Sequence, residues 1–451
     1  MTDLKAKSEL PEQQLGELQE LTELALKHAS RLKNSAAEVR ATSHQGLSVN
    51  VRKGEVETLE FTRDRGISVT VYRGRCKGSA SSGDLRPDSI TTCIERATDI
   101  ARYTQQDRCN GLADAELMAT EFHELDLWHP AEVDAQVAID RAMEIEAAAL
   151  ATDSRISNSE GASLSVGQAN SVYANSHGFS GAHRGTRYGQ SCAVIAGQGT
   201  EMQRDYWYDS KRSIEELDAP AVTGRTAAER TVARLGAKQI KTCQVPVLFT
   251  AEIARSILGH FVGAVSGGAL YRKASFLQDS LGQRLFPESI RLQELPFLLR
   301  GSASANFDSE GVATRERDVV HDGVLMNYVL SSYSARKLGL VTTGNAGGVR
   351  NLRLPAGTLS QQELIGNIDQ GLLVNEVMGQ GVSIVTGDYS RGAAGFWIEN
   401  GELQYPVQEI TIAGNLKDMF QNIVAIGSDM DDRSAIQTGS LVIDKLTIAG
   451  A

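Results

Sequence analysis

The sequence TAEIARSILGHFVGAVSGGALYRK, residues 250–273, predicts the clearest buried helix of the chain. At about 100° per residue, its apolar side chains fill one wide arc, which is typical of a face turned toward a core. The members of this arc are Ile253, Ala254, Ile257, Leu258, Phe261, Val262 and Val265. The opposite arc places Glu252, Ser256 and His260 one turn apart among small residues. We therefore expect this second face to abut another backbone closely or to line a cavity.

The polar face of this helix carries part of the chemistry of a metal site. A helical zinc peptidase site needs two imidazoles about one turn apart, with a carboxylate beside them that takes a proton from the metal-bound water. The helix supplies one imidazole, His260, and a solitary histidine cannot hold zinc. His260 is interpreted either as the remainder of an incomplete site or as a half-buried helix histidine bonded to a neighbour.

The composition limits the classes of function. The chain has 451 residues, of which 41% are hydrophobic, enough for the cores of two ordinary domains. Its formal net charge of −11 argues against a broad phosphate-binding surface, so nucleic acid is not expected as a partner. No apolar run approaches the roughly 18 residues of a membrane span, and the first residues are polar and acidic. We therefore expect a cytoplasmic protein without membrane contact. Five scattered cysteines without a C-x-x-C pair predict reduced thiols.

Glycines separate β-prone runs along most of the chain and predict many hairpins. Turns are predicted at Lys53-Gly54, Asp64-Arg65-Gly66, Arg73-Gly74, Asp322-Gly323 and Asn400-Gly401. Because amphipathic helices alternate with these runs, the predicted fold class is α+β, with two domains rich in β-hairpins, mixed and antiparallel sheet, and packed helices. The polar stretch 209–225 is the predicted linker between an N-terminal α+β domain, residues 1–208, and a C-terminal α+β domain, residues 226–451.

A second group of candidate metal ligands lies in the polar, aperiodic segment 104–130. His123 and His129 are six residues apart there, beside Glu121, Glu124 and Asp126. No helical or turn spacing fixes these side chains relative to one another, so we interpret them as solvated loop residues rather than as a metal cluster.

Several long strings resemble the TldE (PmbA) side of the TldD/TldE peptidase family, also called the PmbA/TldD metallopeptidases. They are CKGSASSGDL at 76–85, SASANFDSEGVATRERDVVHDGVL at 302–325, SSYSARKLGL at 331–340 and MGQGVSIVTGDYSRGAAGFWIENGELQYPVQEITIAGNLKDM at 378–419. Strings of this length are more specific than a spaced motif, and the resemblance runs over nearly the whole chain.

The resemblance implies a cytoplasmic complex of a TldD-like and a TldE-like subunit that cleaves unfolded peptides and the leader segments of modified antibacterial peptides. In the TldD-like subunit, a helical H-E-x-x-x-H motif supplies two zinc ligands and the general base, and a cysteine near the C-terminus completes the metal site. The matching positions here are Arg255, Ser256, His260 and Thr438. Two ligands and the base are replaced, so we expect no catalytic residue and no metal in this chain, with zinc in the TldD-like partner.

Three functions follow from these observations. The first is a metal-free subunit that shapes the cleft of a peptidase heterodimer. The second is a metalloprotease active by itself through His260, Glu252 and another carboxylate. The third is a regulatory binding protein, since the family is also described as a modulator of DNA gyrase. A homodimer is plausible when the partner is missing.

The residues predicted to contact peptide or partner lie on the predicted helix and in the predicted glycine-rich loop 387–395, which is otherwise interpreted as a tight structural turn. They are Glu252, His260, Asp388, Tyr389 and Arg391.

Overall fold

The first half of the chain forms one antiparallel sheet of long strands. The computed structural model describes residues 11–31 and 35–450. Six strands pair in the spatial order β3 (Cys76–Ser82), β2 (Glu55–Arg73), β1 (Ser35–Arg52), β4 (Ile156–Asn175), β5 (Ser180–Ala196) and β6 (Gln203–Lys211). The predicted turns at Lys53-Gly54 and Arg73-Gly74 are confirmed, and Lys53, Gly54 and Gly74 have the positive φ of tight hairpins.

The predicted turn at Asp64-Arg65-Gly66 is wrong, because β2 runs through it without interruption. Gly66 pairs with Thr42, and Asp64 pairs with His44, in the middle of the ladder between β1 and β2. The backbone hydrogen bonds of this long ladder outweigh the local turn preference of aspartate and glycine.

Four helices cover one face of this sheet. They are α1 (Pro11–Ala29), α2 (Pro87–Tyr103), α3 (Ala135–Thr152) and α4 (Pro220–Ala233). Alternate residues of β1 point to the same side, and Val39 packs under α1 and α2 while Val49 packs under α3. The segment 209–225, predicted as a linker, runs from the end of β6 into α4, which packs against α3. The next sheet begins at Cys243, and the proposed division into domains stays a prediction.

The second half of the chain contains a nearly closed mixed sheet. Its spatial order is β14 (Glu402–Asn415), β13 (Asp388–Glu399), β12 (Gln370–Met378), β7 (Cys243–Phe249), β17 (Leu441–Ala449) and β15 (Ile423–Ile426). β14 also pairs with β17, so five of these strands form a ring. β7 and β12 run parallel, and the other pairs in this sheet are antiparallel. The predicted hairpin at Asn400-Gly401 is confirmed, with φ values of 53° and 76°.

A smaller sheet and five helices complete the second half. The strands are ordered β10 (Val324–Leu325), β9 (Arg317–His321), β8 (Leu292–Glu294), β11 (Leu352–Arg353) and β16 (Ile436–Gln437). The helices are α5 (Ala251–Ala264), α6 (Gly267–Tyr271), α7 (Ser332–Leu338), α8 (Gln361–Gly366) and α9 (Leu416–Gln421). The hairpin at Asp322-Gly323 is confirmed. Together the sheets and helices confirm the α+β class.

Helix α5 lies in the core of the second half, as its apolar arc predicts. Ile257 and Phe261 are fully buried, and the Phe261 ring packs edge-on against the rings of Phe286 and Phe420 at 5.2 and 5.8 Å. The helix follows β7 directly, so its first turn lies at the end of a buried strand. Among the described residues, no helix is long and apolar enough to cross a lipid bilayer.

Candidate functional site

A cavity of about 500 Å³ lies between the two halves of the chain, at the first turn of α5. β6 contributes Trp207 and Tyr208 to its wall, α5 contributes Glu252, and the segment after β15 contributes Asp431 and Arg433. A cavity of this size with aromatic faces and a few convergent charged groups is typical of a ligand site. We call it the junction cavity.

Arg255, at the first degenerate motif position, forms an ion pair beside this cavity. Its Nη1 lies 3.3 Å from Oδ2 of Asp431, whose side chain is almost completely buried. The backbone N–H of Asp431 donates to the carbonyl oxygen of Thr438 at 3.0 Å. Asp431 therefore joins Arg255 and Thr438, two degenerate positions that are 183 residues apart in the sequence.

Burial alone raises the pKa of Asp431, but the hydrogen bonds and positive charge of Arg433 and the charge of Arg255 outweigh it, so the pKa lies below its usual value. The carboxylate is therefore ionised at neutral pH. Arg433 Nε donates to it at 2.9 Å, and Arg433 Nη1 donates to the Tyr208 carbonyl oxygen at 2.8 Å. The Arg433 guanidinium also lies 4.4 Å from the Tyr208 ring centroid, so it links the two halves of the chain.

The residues at these positions do not fit zinc. Zinc takes thiolate, imidazole or carboxylate ligands, whereas Arg255 presents a cation, and Thr438 donates its hydroxyl to the Gly439 carbonyl oxygen. Ser256 likewise donates to the Ile253 carbonyl oxygen within α5. Across residues 11–31 and 35–450, no three His, Cys, Asp or Glu side chains are grouped so that they could hold a metal ion.

Glu252 lines the junction cavity in an ion-pair network. Its Oε1 lies 3.2 Å from Arg230 Nη1 and 3.6 Å from Arg433 Nη2. The two guanidinium groups lie 5.2 and 4.6 Å from the centroid of the Trp207 ring. Of the predicted contact residues, Glu252 is the one that the structure places in this cavity.

His260 lies in a separate environment with Tyr389 and Arg391. Its ring centroid is 6.1 Å from that of Tyr389, edge to face. Burial and then the positive charge of Arg391 lower the pKa of His260, so the ring is neutral at pH 7. Burial raises the pKa of Tyr389 to about 12. His260 Nε2 and Tyr389 Oη have no hydrogen-bond partner among the described residues, so His260 is not held through Nε2 as a bonded helix histidine would be.

The glycine-rich segment 387–395 is mostly strand, which corrects its prediction as a loop. Residues from Asp388 onward belong to β13 and pair with β14, and β12 pairs from the other side. Tyr389 is 1% exposed, whereas Asp388 is exposed and accepts from the Thr386 hydroxyl at 2.6 Å. The glycines serve close strand packing, since a Cβ on Gly395 would lie 1.8 Å from the Leu373 carbonyl oxygen.

His123 and His129 have different neighbours. The His123 ring centroid lies 4.0 Å from that of Phe297, and His129 Nε2 lies 3.1 Å from the Asp126 carboxylate. Asp126 is also bound by Arg300 at 2.6 Å. The two imidazoles therefore lie in separate side-chain environments.

Sequence reasoning missed Asp431, Arg433, Trp207 and Tyr208, which dominate the junction cavity. Trp207 and Tyr208 lie on a strand without a motif, and Asp431 and Arg433 lie in the aperiodic run SDMDDRSA. The concentration of acids in that run is the one local signal that could have indicated a site.

Comparison with known proteins places the chain in a family. Its residues 37–101, 128–235 and 242–450 match models of the first, central and C-terminal domains of the PmbA/TldA metallopeptidases. Metalloprotease PmbA of Escherichia coli O157:H7 is 49% identical over 96% of both chains. The Metalloprotease PmbA homolog of Haemophilus influenzae is 46% identical, again over 96% of both.

Solved structures share the fold. A candidate modulator of DNA gyrase from Bacteroides thetaiotaomicron superimposes with a TM-score of 0.91 at 29% identity, covering 96% of this chain and 99% of that one. TldE from Thermococcus kodakarensis superimposes with a TM-score of 0.80 at 20% identity, covering 96% of this chain and all of that one. With its three matched domains and its close relatives over almost the full length, the chain belongs to the PmbA/TldD metallopeptidase family.

Proposed function

We propose that this chain is the non-catalytic, TldE-type subunit of a cytoplasmic two-subunit peptidase, and that zinc is held by a TldD-like partner. The observation that carries the proposal is the ion pair between Arg255 and Asp431, beside the buried Thr438. A guanidinium paired with a carboxylate supplies neither a metal ligand nor a base for water. The chemistry of hydrolysis then has to come from the partner.

The chain's own contribution is to hold an unfolded peptide near the partner's zinc. The junction cavity supports this role, because Trp207 and Tyr208 offer aromatic faces and Glu252 offers a carboxylate for a peptide ammonium or amide. Backbone pairing of an extended peptide with a strand edge would make binding largely independent of peptide sequence. Unfolded proteins and the leader segments of modified antibacterial peptides are the substrates that we infer. His260, Asp388, Tyr389 and Arg391 form a second candidate contact region, in which Asp388 is exposed.

The surface of β2 supports a protein partner. β3 pairs with β2 only from Ile67 onward, so the outer edge of residues 55–62 pairs with no strand in the described part of the chain. Leu59 and Phe61 lie on the same side as Val49 and Leu47, which α3 covers, but they remain 43% and 69% exposed. A bare strand edge beside exposed apolar side chains favours association with another chain.

The proposal is tested by measuring bound zinc and cleavage of an unstructured peptide for this chain, for a TldD-like subunit, and for their mixture. We expect this chain alone to be metal-free and inactive, and the mixture to cleave the peptide. A mixture in which the motif glutamate of the TldD-like subunit is replaced by glutamine serves as the inactive control. Stoichiometric zinc in this chain alone, with cleavage that a chelator abolishes, would overturn the proposal and favour a peptidase active by itself.

A second candidate function is a regulatory binding protein that acts without proteolysis. The name of the Bacteroides thetaiotaomicron neighbour, a candidate modulator of DNA gyrase, favours it. The same experiment separates the two candidates, because a regulator of this kind leaves cleavage by the TldD-like subunit unchanged.

A further inference from the structure

A second cavity of about 500 Å³ lies between the two halves of the chain, and most of its charged lining residues are cations. We call it the cationic cleft. Its charged residues are Arg187, Lys211, Arg212, Arg300, Arg353 and Arg433, with Glu216 and Asp432 as the acids. Six cations against two acids is an unusual local balance for a chain whose net charge is −11. Such a concentration of positive charge in a concave site attracts anions.

Three of these six cations contact carboxylates of the same chain. Arg300 pairs with Asp126 and Glu216, and Arg433 pairs with Asp431. Lys211 is 3.8 Å from Asp432, a loose contact. These contacts neutralise only part of the charge of the cleft.

The other three, Arg187, Arg212 and Arg353, form no ion pair with any residue in the described ranges. Arg187 Nη2 donates to the Arg433 carbonyl oxygen at 3.2 Å, and Arg353 Nε donates to the Gln437 side-chain oxygen at 2.9 Å. Arg212 donates only to backbone carbonyl oxygens of residues 186, 301 and 302. The three guanidinium groups therefore retain their full positive charge and unused N–H donors.

Arg212 is half-buried and is held by three backbone carbonyl oxygens. Burial and then the positive charge of Arg187 lower its pKa to about 10, which leaves it charged at neutral pH. Arg212 and Ser302 also line an adjoining cavity of about 280 Å³ that contains Arg40 and Arg350. Ser302 Oγ is buried and has no hydrogen-bond partner among the described residues. The adjoining cavity also holds one acid, Asp308, and the cations that lie close together repel one another unless an anion binds between them.

We propose that the cationic cleft binds carboxylates of a peptide, so that this subunit selects unfolded segments rich in aspartate and glutamate. A planar guanidinium matches a carboxylate with two parallel N–H···O bonds, and the cleft offers three guanidinium groups without a carboxylate. The cleft shares Lys211, Asp432 and Arg433 with the junction cavity, so an extended peptide can occupy both. This inference rests on the proposed function, whose substrate class it narrows.

A peptide fits these observations better than a nucleic acid does. The cleft has the size of a small-ligand site, which accommodates a few residues of an extended chain. A polynucleotide would bring its phosphates against a protein surface of net negative charge outside the cleft.

The test uses fluorescence anisotropy with the full-length chain and two labelled unstructured peptides of equal length. One is rich in aspartate and glutamate, and the other carries asparagine and glutamine at the same positions. We expect the acidic peptide to bind about tenfold more tightly, since charge-assisted hydrogen bonds are stronger than neutral ones. The double variant Arg187→Gln/Arg353→Gln should lose this preference while retaining the wild-type unfolding transition.

Arg284→Gln is the matched control. Arg284, like Arg187, donates to a single backbone carbonyl oxygen, that of Asp322 at 2.8 Å, but it lies outside the cationic cleft. We expect this variant to bind both peptides as the wild type does. Equal affinity of the wild type for the two peptides, or an equal loss of preference in Arg284→Gln, would overturn the inference.

Competition identifies the ligand class. Inorganic phosphate, a single-stranded oligonucleotide and an unlabelled acidic peptide each compete with the labelled acidic peptide. The assignment to peptide carboxylates would be overturned if phosphate or the oligonucleotide displaced it at a lower concentration than the unlabelled peptide does. Cleavage by the mixture with a TldD-like subunit is measured separately on the neutral peptide. If the mixture cleaves the neutral peptide but the chain binds both peptides equally, only this inference is overturned. If the chain prefers the acidic peptide through Arg187 but the mixture cleaves nothing, only the proposed function is overturned.

Discussion

Asp431 contacts two of the positions at which this chain departs from the zinc motif, Arg255 and Thr438. Its carboxylate is bound by Arg433 at 2.9 Å and lies 3.3 Å from Arg255. Asp431 and Arg433 side chains are 3% and 10% exposed, so water replaces little of this interaction if one partner is removed. A buried guanidinium left without its carboxylate is costly.

We predict that Asp431→Asn lowers the free energy of unfolding by about 2–3 kcal/mol, somewhat less than for an isolated buried pair because Glu252 remains near Arg433. Urea unfolding at pH 7 measures this loss. The neighbouring Asp432→Asn is the control, since Asp432 is 61% exposed, and its effect should stay within about 0.5 kcal/mol. Similar effects of the two substitutions would contradict the assigned role of Asp431.

The stability difference between the wild type and Asp431→Asn should depend on pH, because the pKa of Asp431 is lowered in the folded chain. A carboxylate whose folded pKa lies below its unfolded value contributes stability that is complete above the unfolded pKa, near 4, and is lost as pH falls through the folded pKa. The stability gap between the wild type and Asp431→Asn should therefore be constant from pH 7 to about pH 5 and shrink below about pH 4. A gap that widens in acid would contradict this account.

Helices α4 and α5 each contain a glycine, but the two glycines are packed differently. Gly224 in α4 lies against α3, and a Cβ there would be 2.1 Å from the Ile145 carbonyl oxygen. Gly259 in α5 has room, because the nearest atom to a Cβ there is Ile436 Cδ1 at 3.8 Å. No backbone therefore approaches α5 closely at Gly259, and a methyl group there would make an ordinary van der Waals contact.

We predict opposite effects of alanine at these two glycines. Gly259→Ala should raise the free energy of unfolding by about 0.5–1 kcal/mol, because alanine favours the helix and constrains the unfolded chain. Gly224→Ala should lower it by about 2 kcal/mol, because the added methyl group forces α3 and α4 apart. Denaturant unfolding of both variants checks this, and a shift of the same sign in both would refute the packing argument.

Helices and turns could be predicted where neighbouring residues in the sequence specify them. The turns at Asp322-Gly323 and Asn400-Gly401 and the apolar arc of α5 were predicted and are confirmed. The predictions of a turn at residues 64–66 and a loop at residues 387–395 were wrong. Both segments are held in strands by pairing with neighbouring strands, which local residue preferences do not report.

The molecule as a whole presents a bare strand edge with exposed apolar side chains, residues 55–62 of β2, and we propose that the TldD-like partner binds there. We predict that Leu59→Lys/Phe61→Lys weakens association with that subunit at least about tenfold, because two charges would be buried at the contact. Sedimentation velocity of the mixture measures this, and the stability of the chain alone should change little, since both side chains are exposed.

The control for this prediction is Leu340→Lys/Val341→Lys, whose side chains are 41% and 69% exposed and nearly match those of Leu59 and Phe61 at 43% and 69%. It should leave association unchanged. Equal loss in both double variants would show that added charge, rather than the β2 surface, weakens the complex.

The amino-acid pattern alone indicated the family, the α+β class, most hairpins, and the replacement of two zinc ligands at Arg255 and Thr438 and of the base at Ser256. These features depend on residue identity and on neighbours within a few positions, which the sequence states directly. The pairing of Asp431 with Arg255, the burial of Tyr389 and the shared cleft of Arg187, Arg212 and Arg353 became visible in the folded chain. These groupings join segments far apart in the chain, and they depend on how sheets and helices pack, which no local pattern specifies.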